Sequence, residues 1–209
     1  MKSGAARGAE IPTGLKAVIA GKKRAGHSPG LFKLAIALAL LISLLSAQGA
    51  AARSQAKPAK KASVTVMTRY ERDLAAAINA TRKSHGLRTL RLVPGLMRSA
   101  GKHSLQMACQ GYFAHSSPNG ASFDTRVKSF YSAVGSSYFS AGENLAWVQP
   151  RATPSQVVKR WLASPGHRRI LLSRHWTVFG VGVVSSTHGA GIFAGRRVLL
   201  VTADFASKK

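Results

Sequence analysis

Apolar residues recur along the second two-thirds of the chain with two distinct periods. From Thr68 to His85, Tyr70, Leu74, Ala77, Ile78 and Thr81 fall three or four apart, which predicts one face of a helix; Gly86 follows as the residue that stops it. Pro94 to Gly111 predicts a second helix, with Leu96, Met97, Ala100, Ser104, Met107 and Ala108 turned inward and Gly101 as its one weak helix former. Ser117-Pro118-Asn119-Gly120 has turn chemistry, and Ser122 to Tyr131 predicts a short helix with Phe123, Val127 and Phe130 on one side. Thr153-Pro154-Ser155-Gln156 combines a capping box with proline at the first helical position, so a fourth helix runs to Ala163. Ser164-Pro165-Gly166 restarts the chain with Ser164 as N-cap, placing His167 in a new first turn.

The period then shortens. Tyr138 to Val148 predicts a strand or extended edge, and Val178 to Ser185 and Val198 to Phe205 predict two more strands joined by the glycine-containing stretch Thr187 to Gly195. Val198 to Phe205 is apolar almost throughout, as a central strand covered on both faces should be. Helices come first and the strands come late, without strict alternation, so the fold class is α+β.

The first 52 residues follow a different logic. Lys2, Arg7, Lys16, Lys22, Lys23 and Arg24 precede the apolar run Leu31 to Leu45, and small residues follow up to Ala50-Ala51-Ala52. A basic start, a short apolar stretch and a small-residue exit describe a secretory signal, here with an unusually long basic region. A membrane span needs about 20 apolar residues, more than this run supplies, so cleavage is expected; uncleaved, the segment would be an anchor. Residues 53–66 are basic, contain Pro58 and have no periodicity, as a linker would. The domain proper is then 67–209, exported to the periplasm or the cell exterior.

The chain carries 31 Lys+Arg against 6 Asp+Glu. Removing residues 1–52 takes away seven bases and one acid and leaves a formal charge of +19. That favours anionic partners such as membrane headgroups or wall polymers, beside the plainer reading of a solvated basic surface. The aromatics do not interleave with the bases and no nucleic-acid motif is present, so no specific nucleic-acid partner is expected; a monomer is. Cys109 is the sole cysteine, which rules out an internal disulfide, and its neighbours Met107, Ala108 and Gly111 suggest a packed thiol.

The candidate chemistry rests on histidines and a few acids. His85 precedes a helix-ending glycine and reads as a C-terminal cap, His103 lies on the second helix, His175 sits beside Trp176 in a loop, and His188 lies in the glycine stretch. His115 and His167 each follow a turn of Ser, Pro or Gly. Glu143, inside the apolar GENLAW stretch, needs a partner there. Two imidazoles and a carboxylate can make a zinc site with a position open to water, although no i,i+4 histidine pair supports it.

Several motifs in order carry a resemblance: Asn79-Ala80-Thr81-Arg82 with Gly86-Leu87, Tyr112-Phe113-Ala114-His115-Ser116, Asn119-Gly120 with Phe123 and Arg126, Gly142-Glu143-Asn144-Leu145-Ala146, Trp161 with Ser164-Pro165-Gly166-His167-Arg168, and Val181-Gly182. Residues 70–205 resemble the CAP superfamily of cysteine-rich secretory, antigen 5 and pathogenesis-related 1 proteins (the SCP domain) in its bacterial form. The resemblance implies an α-β-α sandwich with a small antiparallel sheet between helical layers. It also implies a cleft with two histidines and two glutamates, of which His115, Glu143 and His167 occupy three positions; Ser164 stands where many eukaryotic relatives have the second glutamate. It further implies His115 and His167 as ligands of a divalent metal such as zinc, with Glu143 orienting one imidazole or accepting a proton from bound water, and Asn144 in the same cleft serving the backbone near Glu143. Arg126 is expected to anchor the loop after His115, and Trp147, Trp161 and Trp176 to be core or rim anchors. The function it implies is a binding module for a lipid, sterol or cell-wall component. The alternative is a metal-dependent hydrolase with Glu143 as the catalytic base.

Overall fold

The strand Val198–Lys208 (β5) lies at the centre of a five-stranded sheet, and it is buried from Val198 to Ser207. The computed structural model describes residues 20–21 and 67–209. Apart from Ala20 and Gly21, the expected signal and linker lie outside the described residues. Among the described residues no helix is long and apolar enough to cross a membrane.

The elements in chain order are β1 (Ala20–Gly21), α1 (Arg69–Ser84), β2 (Arg91–Leu92), α2 (Pro94–Gln110), α3 (Phe123–Phe130), β3 (Phe139–Val148), α4 (Pro154–Ala163), α5 (Pro165–Leu171), β4 (Val178–Ser186) and β5. The sheet order is β1-β3-β5-β4-β2. β3 and β4 both run antiparallel to β5, and β1 antiparallel to β3; β2 pairs parallel with β4 over two residues, a contact too short to leave a periodic signature.

The helices form where local chemistry asks for them. Thr68 and Glu71 close a capping box on α1, and Thr153 and Gln156 another on α4 with Pro154 behind the cap. His85 caps α1 at its other end, its Nδ1 2.8 Å from the Thr81 carbonyl oxygen. Gly86 takes the left-handed conformation (φ +67°) that the exit requires.

Strand alternation sorts the two layers. Gly142, Phe179, Val181, Ala203 and Phe205 face the side of α1, α4 and α5, where Leu74, Ile78, Val157, Trp161 and Ile170 complete the larger core. Glu143, Leu145, Gly180, Gly182, Thr202 and Asp204 face α2. There the approach is so close that a Cβ on Gly180 would lie 2.3 Å from the backbone of Leu96, and one on Gly182 2.1 Å from the Gly101 nitrogen. The alternating glycines of β4 are therefore a seat for a helix backbone. Trp161 and Trp176 are core residues that donate their indole N–H groups to the carbonyls of Leu145 (2.9 Å) and Ile170 (2.8 Å), while Trp147 is half-buried against Phe193.

One expectation needs correction. Cys109 is exposed, not packed. Met107 and Ala108 point at the sheet, and at about 100° per residue the next positions swing out to solvent. Arg82, named in the sequence only as part of a motif, is fully buried: its guanidinium donates to the carbonyls of Leu171 (2.7 Å) and Ser173 (3.0 Å) and its Nε to that of Arg88 (3.1 Å). It ties α1 to the exit of α5.

Candidate functional site

The site is assembled where α2 gives out. Gly111 ends that helix in the left-handed region (φ 68°), and the segment after it folds back so that the Ala114 carbonyl meets Nε2 of His103 at 2.9 Å. This pins the residue before His115. The His115 ring leans on Phe123, with centroids 6.3 Å apart, and its Nδ1 lies 2.7 Å from Oε1 of Glu143. Glu143 is fully buried, and its second oxygen accepts from the guanidinium of Arg126. Arg126 also donates to the His115 carbonyl (3.2 Å) and to the Ser117 hydroxyl (3.5 Å), so it does hold the loop after His115.

Asp204 completes the buried cluster from β5, directly opposite Glu143 in register and fully buried. No hydrogen bond of ordinary geometry reaches either of its carboxylate oxygens among the described residues, although the Ser99 hydroxyl and the Glu143 carboxyl lie beside it. Two buried carboxyl groups thus face one guanidinium, and charge balance requires one of them to keep its proton. Asp204 is that one: burial, then the Glu143 carboxylate, push it well above its ordinary range. Burial raises Glu143 to about 7, against the opposing pull of Arg126. With Glu143 ionised, His115 donates through Nδ1 and its Nε2 carries the free lone pair.

His167 comes from the other layer. Proline at the first helical position starts α5, and His167 is two residues on. Asn144 reaches it by donating Nδ2 to the His167 carbonyl at 3.0 Å. The role expected for Asn144, toward the backbone near Glu143, is corrected here. Successive strand residues point to opposite faces, so Glu143 turns to α2 and Asn144 to α5.

The His115 ring is close enough to make His167 harder to protonate; burial acts first, and together they lower His167 to about 4. Burial and then Arg126 lower His115 to about 4, opposed by Asp204. Both rings are neutral near pH 7, the form that binds a metal or accepts a hydrogen bond. The Nε2 atoms of both are buried and without a partner among the described residues.

To a divalent cation these residues would offer two neutral nitrogen donors, one of them backed by a carboxylate as metal-bound histidines commonly are. They supply no third donor: Ser164 stands at the start of α5, and among the described residues no group of three His, Cys, Asp or Glu gathers. Glu143, expected as a base, is sealed from solvent with both oxygens engaged, so it acts on a ligand only through His115. His85, His175 and His188 are exposed and belong to other parts of the surface. Sequence reasoning misses Asp204 and His103 as site residues. An acid inside VLLVTADF is the available signal for the first; for His103 the periodicity shows only that it lies on α2.

Residues 75–203 match the model of the cysteine-rich secretory protein family, CAP. The chain belongs to this family. It is 42% identical over 118 residues to YkwD, an uncharacterized protein of Bacillus subtilis strain 168, covering 56% of this chain and 43% of that one. It is 31% identical over 118 residues to YlbC, an uncharacterized membrane protein of the same strain, covering 56% and 32%. The chain thus spans less than half the length of these relatives. Among solved structures, it resembles an extracellular SCP-domain protein from Bacillus anthracis strain Ames (TM-score 0.50, 26% identity, 65% of this chain and 39% of that one). An outer surface protein from Borrelia burgdorferi shares the fold at 19% identity (TM-score 0.56, 69% and 97% covered). The CAP assignment accords with the α+β sandwich described above, antiparallel in its three long strands.

Proposed function

We propose that this CAP-family chain is an exported binding module of the cell envelope whose ligand engages His115 and His167. The observation that carries the reading is the pair of half-buried, neutral imidazoles, each with a buried and unpartnered Nε2. A buried polar atom left without a partner costs free energy, about 1–3 kcal/mol for a neutral group, so a ligand that satisfies both nitrogens recovers that loss. A divalent cation such as zinc suits the donor set, with His115 and His167 as its holders; bound there, it would act as a Lewis acid. Glu143 and Arg126 keep the His115 ring in one orientation and one tautomer, and Asn144 fixes the backbone that carries His167. Export draws support from the signal-like pattern of residues 1–52 and from the extracellular and outer-surface descriptions of the two structural neighbours. A lipid, sterol or wall-component ligand draws on the family resemblance alone. The hydrolase reading is the less favoured one, because Glu143, the carboxylate beside the imidazoles, is sealed from solvent with both oxygens engaged.

Calorimetric titration with zinc tests this. Wild type should bind one equivalent, and the double substitution His115→Ala with His167→Ala should abolish binding while the protein stays folded. No heat of binding in the wild type, or undiminished binding in the double variant, refutes the reading.

A further inference from the structure

The basic residues of the described domain are not spread evenly against its acids. No Asp or Glu occurs between Asp73 and Asp124, or between Glu143 and Asp204. The acids that do occur are committed: Glu143 and Asp204 are buried, Asp73 and Asp124 pair with Arg69 and Lys128, and Glu71 serves the α1 cap and the Val183 N–H. Two acid-free segments are brought side by side by the buried Arg82, which holds the carbonyls of Leu171 and Ser173, and by Arg88, which donates to the Trp176 carbonyl at 3.2 Å. The result is one face with Lys83 and Arg88 from the end of α1 and the segment after it, and Arg168, Arg169 and Arg174 from α5 and its exit. All five are exposed, and none is in an ion pair among the described residues.

The chemistry of the face narrows its partner. Four of the five cations are arginines, whose planar forks match phosphate oxygens. The exposed large apolar residues of the described domain, Leu105, Val134, Tyr138 and Ile192, lie on other elements, so the face offers no side chain to insert into a bilayer. It offers no exposed Phe, Tyr or Trp on which nucleotide bases would stack. We infer that this face binds a linear polyanion whose repeating unit carries a phosphate, gripped through its phosphates alone. The inference does not depend on the histidine pair.

The test uses the full chain and fluorescently labelled long-chain inorganic polyphosphate, titrated at several salt concentrations. The combination Lys83→Gln, Arg169→Gln, Arg174→Gln removes three cations that make no side-chain hydrogen bond among the described residues. Arg98→Gln, Arg196→Gln, Arg197→Gln removes the same charge elsewhere and is the control. Wild type should bind, and the first triple should lose about tenfold or more in affinity, with the slope of log K against log salt reduced by roughly two. The control should stay within about twofold of wild type. If the first triple loses its thermal transition, Arg169→Gln and Arg174→Gln made singly should each lose about threefold. Equal losses in both triples would show diffuse attraction to net charge and overturn the inference. Absence of wild-type binding overturns it too, as does tighter binding, per phosphate, to vesicles of phosphatidylglycerol and phosphatidylcholine or to oligothymidine. Binding retained in the His115→Ala, His167→Ala variant separates this inference from the reading of the histidine site.

Discussion

Arg126→Met isolates the electrostatic core of the site. The substitution keeps much of the apolar stem and removes the guanidinium that faces Glu143, whose side chain has 0% exposure against 4% for Arg126. Breaking a buried ion pair from one side costs about 3–5 kcal/mol, because the remaining charge loses its partner. Glu143 limits the damage by taking up a proton. Its carboxyl already lies at about 7, and loss of Arg126, which pulls it down, moves it higher. The expected cost at pH 7.5 is therefore about 3 kcal/mol, near the lower end of that range. For a domain of this size that is a fall in Tm of roughly 10 °C. Adding Glu143→Gln removes the stranded charge but keeps an oxygen for the His115 Nδ1–H, so the double variant should recover about half of the loss. The pH dependence has a definite sign. A carboxyl raised from 4.5 to about 7 on folding favours the folded state most below 4.5, and that contribution is lost as pH rises through 7. In the variant the raised carboxyl has no guanidinium to offset its ionisation, so its penalty should be larger at pH 7.5 than at 5.5. Urea denaturation of wild type, single and double variants at both pH values measures this. A loss below about 1 kcal/mol at pH 7.5, a penalty that grows toward pH 5.5, or a double variant no more stable than the single would refute the reasoning.

Two further outcomes follow from packing and from protonation. Gly182→Ala should cost about 3 kcal/mol, because its Cβ would meet helix backbone at 2.1 Å, whereas Gly101→Ala, with nothing within 4 Å, should gain about 0.5–1 kcal/mol in the interior of α2; denaturant midpoints with unchanged m-values decide. His103, held by burial and then by Arg126 at about 3 against an ordinary 6.5, contributes stability that is complete above 6.5 and lost as pH falls toward 3. His103→Gln should accordingly flatten the acid limb of a stability profile measured by urea titration, and an unchanged slope between pH 6.5 and 4 would count against it.

The positions of the long elements were legible because their determinants are local. Capping boxes, proline at a first turn, glycine after a last turn and the spacing of Leu74 and Ile78 involve residues three or four apart. His115, Glu143 and His167 were picked out by motif, and Glu143 by the rule that a carboxylate in an apolar stretch needs a partner. The partner itself was not legible. Arg126 was expected to hold only a loop, and it does that while also neutralising Glu143.

What the sequence by itself determined is therefore the list of helices and long strands, the central place of β5, and the candidate residues. What only the tertiary structure decided is which of those residues meet. Glu143 faces Asp204 because β3 and β5 pair in one register across some sixty residues of chain, and a shift of one position between them would have put the two on opposite faces of the sheet. The same alternation sends Asn144 away from Glu143 to the His167 carbonyl, and the helix phase sends Cys109 outward beside buried Ala108. Arg82 is buried because three carbonyls, from the α5 exit and from Arg88, converge on its guanidinium. Hydrogen bonds within a helix are written in the order of neighbouring residues. Pairings between distant segments are set by how whole faces pack, and no local pattern carries them.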